Sequence, residues 1–236
     1  MSAVYLKIVN NKYSGLYIGI GVILLWSLSL YYNLSHTIDW SHPGTYLMVL
    51  VQMHLFTGLF ITAHDAMHGT VVPRDRKINL WMGRITTSLF LFNNFDKMLP
   101  KHHEHHRFAG TEHDPDFHNG NENFFLWLFD FIKEYISWKQ ILLAAITHNI
   151  MVRLVGVPEI NMVMYWIVPS ILSLFQLFIF GTYLPHRGEH DHDNPHHARS
   201  QGKNHLWAFV SCYFFGYHYE HHDKPRTPWW RLWEEK

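Results

Sequence analysis

The sequence has a single cysteine, Cys212, in 236 residues. It can therefore neither close an internal disulfide nor build a thiolate zinc or iron–sulfur site. Net charge is absent too, because 19 Lys and Arg stand against 19 Asp and Glu. A neutral chain offers no electrostatic basis for holding nucleic acid. A signal-peptide pattern is missing: the first apolar stretch follows Lys7 and Lys12, is too long, and no small-residue cleavage site follows it. There is no alternating β pattern, internal repeat or low-complexity linker. The length suits one domain over residues 1–236.

What the chain has in excess is histidine, 21 residues, more than all its Lys and Arg. Three clusters fall at helical spacing. They are His64 with His68, then His102, His105 and His106, then His218, His221 and His222. An i, i+4 pair puts two imidazoles on one helix face. His103 sits about 100° from its neighbours' face, which makes it the weakest candidate within its cluster.

Apolar blocks lie close to these clusters, so the mean hydropathy of −0.10 averages two unlike kinds of sequence. Residues 14–34 are uncharged, and residues 44–63 are interrupted only by His54. Residues 139–157 are a weaker block with His148 and Arg153; residues 160–184 are a strong one in which Pro169 predicts a kink. About 20 apolar residues cross a bilayer core. The expected fold is an all-α integral membrane protein of four transmembrane helices in two hairpins, with a histidine-rich cap. Residues 79–95, 124–138 and 205–217 read as interfacial helices, and Trp229, Trp230 and Trp233 with Arg226 and Arg231 as an interfacial anchor. Linkers 35–43 and 156–160 carry no Lys or Arg, and 18 of the 19 basic residues lie on the other side. Positive charge marks the cytoplasmic face, so both termini and all three clusters are expected there.

Imidazole suits Zn, Cu, Fe and Ni. Eight clustered histidines exceed the four ligands of a structural zinc site and point to two metals. The Glu and Glu-x-x-His pattern of soluble di-iron bundles is absent from the spans. An all-histidine dinuclear iron centre is the resulting expectation. His186, just beyond the fourth block, is the expected ninth ligand, with His190 and His192 as its alternatives. Asp65, Glu104, Asp114, Asp116 and Glu220 are placed to accept the second ring N–H of ligating histidines. For His54 and His148, deep in predicted spans, an interhelical hydrogen bond is expected.

The boxes His-x3-His, His-x2-His-His and His-x2-His-His resemble the signature of the membrane fatty-acid desaturase and hydroxylase superfamily. The text around them is more specific: HDAMHG at 64–69, HHEHHRFAGTEHDPDFHNG at 102–120, FGTYLPHR at 180–187 and FGYHYEHHDKPRTPWW at 215–230. From about 14 to 233 the chain resembles the bacterial and cyanobacterial β-carotene ketolases. That resemblance implies a membrane enzyme with two non-haem iron ions, held by His64, His68, His102, His105, His106, His218, His221 and His222, with His186 as the extra ligand. It implies O2 as oxidant and a ferredoxin-type electron donor. Two hydroxylations at carbon 4 of a carotenoid β-ionone ring, and at the equivalent carbon of the second ring, would each end in a ketone. β-Carotene would become echinenone and canthaxanthin, and zeaxanthin would proceed toward astaxanthin. Asp114, Asp116, Phe117 and Tyr183 are the candidates to grip the ring.

Two other readings use the same residues. A carotenoid 3-hydroxylase or a fatty-acyl desaturase or hydroxylase would share the metal chemistry and differ in substrate placement. A membrane metal transporter or buffer would instead need ionisable ligands at membrane depth, where only His54 and His148 lie.

Overall fold

The computed structural model describes residues 11–236; Lys7 and the rest of the N-terminal tail lie outside the described residues. Helix α1 spans Ser14–Ser35 and α2 spans Pro43–Met67. Pro43 opens α2 where a missing N–H costs nothing, and His42 Nδ1 accepts from the Gly44 N–H at 3.0 Å. Unlike the expected 44–63 block, α2 runs on through His64 and is closed by His68. The first histidine pair is thus an extension of the span itself.

Helices α3 (Arg76–Leu89), α4 (Phe95–Phe108) and α5 (Phe124–Tyr135) are short, and each begins on a side-chain cap from Asp75, Asn94 or Asn123. Helix α6 (Trp138–Ile150) starts on a capping box of Ser137 and Gln140. It widens over Met151–Val155 and stops at Gly156, whose φ of 84° suits a residue without Cβ. Helix α7 runs unbroken over Glu159–His186. Its turns widen at Val163–Ile167, just before Pro169, and again at Ile179–Tyr183, just before Pro185. The wide turns absorb the missing proline N–H groups where a kink was expected at Pro169. Two short helices follow, α8 (His205–Cys212) and α9 (His218–Asp223), then a 3-10 turn at Trp229–Glu235. No strand occurs among the described residues.

Among the described residues three helices, α1, α2 and α7, are long and apolar enough to cross a membrane. The fourth expected block, 139–157, is helical but is not among these three. Helix α6 with its continuation carries Lys139, Gln140, His148, Asn149 and Arg153, so it is shorter and more polar than the other three. None of its residues is buried.

In lipid there is little hydrophobic gain from helix association, so close approach and polar contacts hold the spans together. A Cβ on Gly15 would sit 2.6 Å from the Val71 carbonyl oxygen, so α1 meets the chain just after α2 at backbone distance. Thr57 on α2 bonds Ser173 on α7 at 2.7 Å, and the Gln176 amide donates to Ser211 O at 2.6 Å. The Asn161 amide donates to Asn33 O and His36 O, tying α7 to the end of α1. Such bonds contribute about 0.6–2 kcal/mol each. The hydrogen bonds expected of His54 and His148 are not formed: Nε2 of each is buried without a partner. His54 instead stacks on Tyr213, centroids 4.2 Å apart.

In segment 79–95, α3 packs against α2 and buries Asn79, Met82, Thr86 and Thr87; the Asn79 side chain accepts from Val71 N–H and donates to Val72 O. In α5, Trp127 is fully buried while Phe125, Leu126 and Phe129 are exposed; in α8, Leu206, Trp207 and Val210 are exposed. The C-terminal tryptophans fold back onto the protein instead of projecting from it. The Trp229 N–H donates to Asp65 at 3.2 Å, and Leu232 is buried.

Candidate metal centre

The ends of α2 and α7 meet α4 and α9, and nine imidazoles converge there in two groups. His64, His68, His102, His106 and His221 form one; His105, His186, His218 and His222 form the other. Within each group the ligand atoms lie within 4.8 Å of one another. The partition follows helical geometry. Pairs at i, i+4 stay together (64 with 68, 102 with 106, 218 with 222), while the odd member of each later box crosses over. His105 leaves the α4 pair for the second group, and His221 leaves the α9 pair for the first. Helices α4 and α9 therefore each serve both groups.

The chemistry of the donor set fits metal ions. Nε2 of His102 lies 2.7 Å from Nε2 of His68, and Nε2 of His221 lies 3.0 Å from that of His106. His218 Nε2 faces two others, His186 at 2.9 Å and His222 at 3.0 Å. Three ring nitrogens converging on one point cannot satisfy one another with protons if the rings are neutral and share few hydrogens; a cation accepts all three lone pairs. Burial keeps them neutral. It holds His102, His218, His221 and His222 well below the usual imidazole value and brings His68 to about 3, with the neighbouring imidazoles adding to the effect.

Bonds around the groups set which nitrogen is free. His186 Nδ1–H donates to His197 O at 2.8 Å, leaving the Nε2 lone pair turned into its group. His105 Nδ1–H donates to Asp114 Oδ1 at 2.9 Å. Burial alone would depress His105, yet the Asp114 and Asp116 carboxylates outweigh it and raise its pKa. Burial also opposes ionisation of Asp114, but His105 and the N–H groups of Asp116 and Gly110 hold it below the usual carboxylate range. Asp116 is pushed up to about 6, first by burial and then by the charge of Asp114, with His105 pulling the other way. The Tyr135 hydroxyl donates to Asp116 and extends the chain to α5. The turn at Gly110 (φ 72°) folds this acidic loop back over α4.

The remaining candidates separate clearly. His103 Nε2 donates to Met67 O at 3.3 Å and stands outside both groups. His190 Nε2 donates to His186 O at 3.2 Å, and His192 is exposed, so neither joins a group. Of the five carboxylates expected behind the histidines, only Asp114 and Asp116 reach one. Asp65 holds the Trp229 N–H, Glu220 accepts from Ser200 and Lys236, and Glu104 points to solvent from the outer face of α4. Phe117 and Tyr183 pack around Trp127 and Phe178, not against the histidines. The small cavity at the centre is lined instead by Phe60, Phe131, Leu177, Gly181, Thr182 and Phe215, with Asp116. The α7 members lie on the helix face that continues toward His186, a stripe the sequence carries but whose partner was not readable from it.

Residues 39–234 match the family model described as fatty acid desaturase. The chain belongs to the fatty acid desaturase family. Among curated members it is 43% identical over 180 residues to the β-carotene ketolase of Paracoccus sp. strain N81106 / MBIC 01143, covering 75% of this chain and 73% of that one. It is 40% identical to the β-carotene ketolase of Paracoccus sp. strain PC1, over 81% and 79% of the two chains. A zeaxanthin 4-ketolase of Chlamydomonas reinhardtii is 36% identical over 94% of this chain and 53% of its own length. The chain thus spans about half the length of that algal relative and about three quarters of the bacterial ones. No solved structure matches this desaturase-family chain.

Proposed function

We propose that the protein is a membrane carotenoid 4-ketolase, an oxidoreductase that converts β-carotene to echinenone and canthaxanthin. The observation that carries this reading is the pair of all-histidine groups at the C-terminal ends of the apolar helices α2 and α7, in a chain whose relatives are ketolases. His64, His68, His102, His106 and His221 would hold one iron ion, and His105, His186, His218 and His222 the other. Bound iron supplies O2 activation for insertion into an unactivated C–H bond. Each hydroxylation takes one O2, two electrons and two protons and releases one water. The second, at the same carbon, gives a gem-diol that loses water to leave the ketone.

The protein's own contribution is placement and exclusion. Phe60, Phe131, Leu177 and Phe215 make an apolar seat beside the imidazoles that suits a hydrocarbon ring and keeps water from it. Asp114 fixes the ring of His105, and the His197 carbonyl fixes that of His186. The electrons come from a ferredoxin-type donor at the water-facing side of the cap. Both termini and the centre face the cytoplasm, a reading supported by the basic residues that cluster on that side of the spans.

The test is expression in a β-carotene-producing, iron-replete host. Each ketone adds one oxygen and removes two hydrogens, whereas a 3-hydroxylase adds oxygen without removing hydrogen. Unchanged pigment with verified protein in the membrane overturns both carotenoid readings.

A further inference from the structure

We propose that the carotenoid reaches the centre sideways from the bilayer, lying in a groove between α6 and α7; this rests on the ketolase reading. Three cavities follow one another away from the histidines. The innermost, about 50 Å³, touches His64, His102 and His218. The next, about 60 Å³, shares Phe60, His102, Asp116, Phe131 and Leu177 with it. The outermost, about 510 Å³, shares Phe90, Asn93, Tyr135 and Leu174 with the second.

One face of α7 lines all three in order. Gly181 borders the first, Leu177 the first and second, Leu174 the second and third, and Ser170 and Trp166 the third. Those steps of three to four residues trace a single helix stripe, and the fifteen rises from Trp166 to Gly181, at about 1.5 Å each, make it roughly 20 Å long. The facing wall is a second stripe on α6, Ile141, Ala144, Ala145 and His148. The space is therefore long and mainly apolar, with Asn93, Tyr135 and Asp116 as polar points along it, and it ends at imidazoles. An extended polyene with a terminal ring has that shape. A free acid or a coenzyme-bound acyl chain would instead bring a charged group into the apolar end or hold it at the water-facing cap.

The groove also gives α6 a role. A helix that buries none of its residues, and is more polar than α1, α2 and α7, is the side wall of a ligand space. Phe60, Phe131 and Leu177, common to the two inner cavities together with His102 and Asp116, narrow the passage that a ring must widen to reach the remaining histidines.

The full-length protein tests this with two readouts: β-carotene co-purifying with the detergent-solubilised protein, measured by absorbance, and ketone formation in a β-carotene-producing host. Leu174→Trp and Ala144→Trp fill the groove from opposite walls, so misfolding of one leaves the other informative. Leu142→Trp, exposed on α6 and outside the groove, is the control. At parental membrane level and metal content, both filling variants should retain roughly tenfold less β-carotene and form roughly tenfold less ketone, with the control unchanged. Filling variants that bind and ketolate like the parent overturn the groove and leave the ketolase reading intact, as does an equal loss in Leu142→Trp. β-Carotene held by the parent and lost from the filling variants, with no ketone from any of them, upholds the groove and overturns the ketolase reading.

Discussion

The two histidine groups differ in how they are held. All four members of the second are buried, and two of them are oriented by bonds outside the group, His105 by Asp114 and His186 by the His197 carbonyl. In the first, three of five are only half-buried and no carboxylate reaches any of them. The braced group has no spare donor; the open one has one more imidazole and less support. Positioning by second contacts and positioning by number are two ways to arrange donors, and the two histidine groups differ in which one they show.

Removing a donor from the braced group should have the largest effect. His218→Ala takes away the nitrogen that faces two others, and ketone formation should fall below detection with about half the parental iron retained. His68→Ala, one of five, should leave measurable product; equal loss in both variants would erase the distinction. Chelation of iron should abolish activity and lower the thermal midpoint by more than any single substitution below, because the cap's buried lone pairs then face one another. Asp114→Asn should cost about 10–100-fold in activity or iron affinity, at the second group and not the first, as read by iron content and spectroscopy of the purified protein. Asp65→Ala leaves the Trp229 N–H without its acceptor and should cost about 1–3 kcal/mol of stability, seen as a lower unfolding midpoint. Glu104→Gln should change neither iron content nor rate, since its side chain is exposed and touches no histidine.

Much of this is legible in the sequence, for physical reasons that can be named. Helical spacing alone pairs His64 with His68 and His218 with His222, and unbroken apolar length marks α1, α2 and α7. What fails is information that lives between segments. Helix α6 reads as a weak fourth span because its apolar stripe faces a groove and its polar residues interrupt the rest. Glu104 lies inside the second box and Asp114 beyond it, yet Glu104 faces water from the outer face of α4 while the turn at Gly110 brings the more distant Asp114 back to His105. His54 and His148 are expected to find polar partners, yet an aromatic ring and a cavity wall surround them.

The crossing of His105 and His221 between groups has a consequence for the order in which the centre can come into being. A chain made from its N-terminus presents α2, α4 and α7 first and α9 after them. Before α9 emerges, the first group already has four of its five histidines, while the second has only His105 and His186. The open group is a workable site early in synthesis; the braced one must wait for a six-residue helix that delivers two donors to it and one to its neighbour.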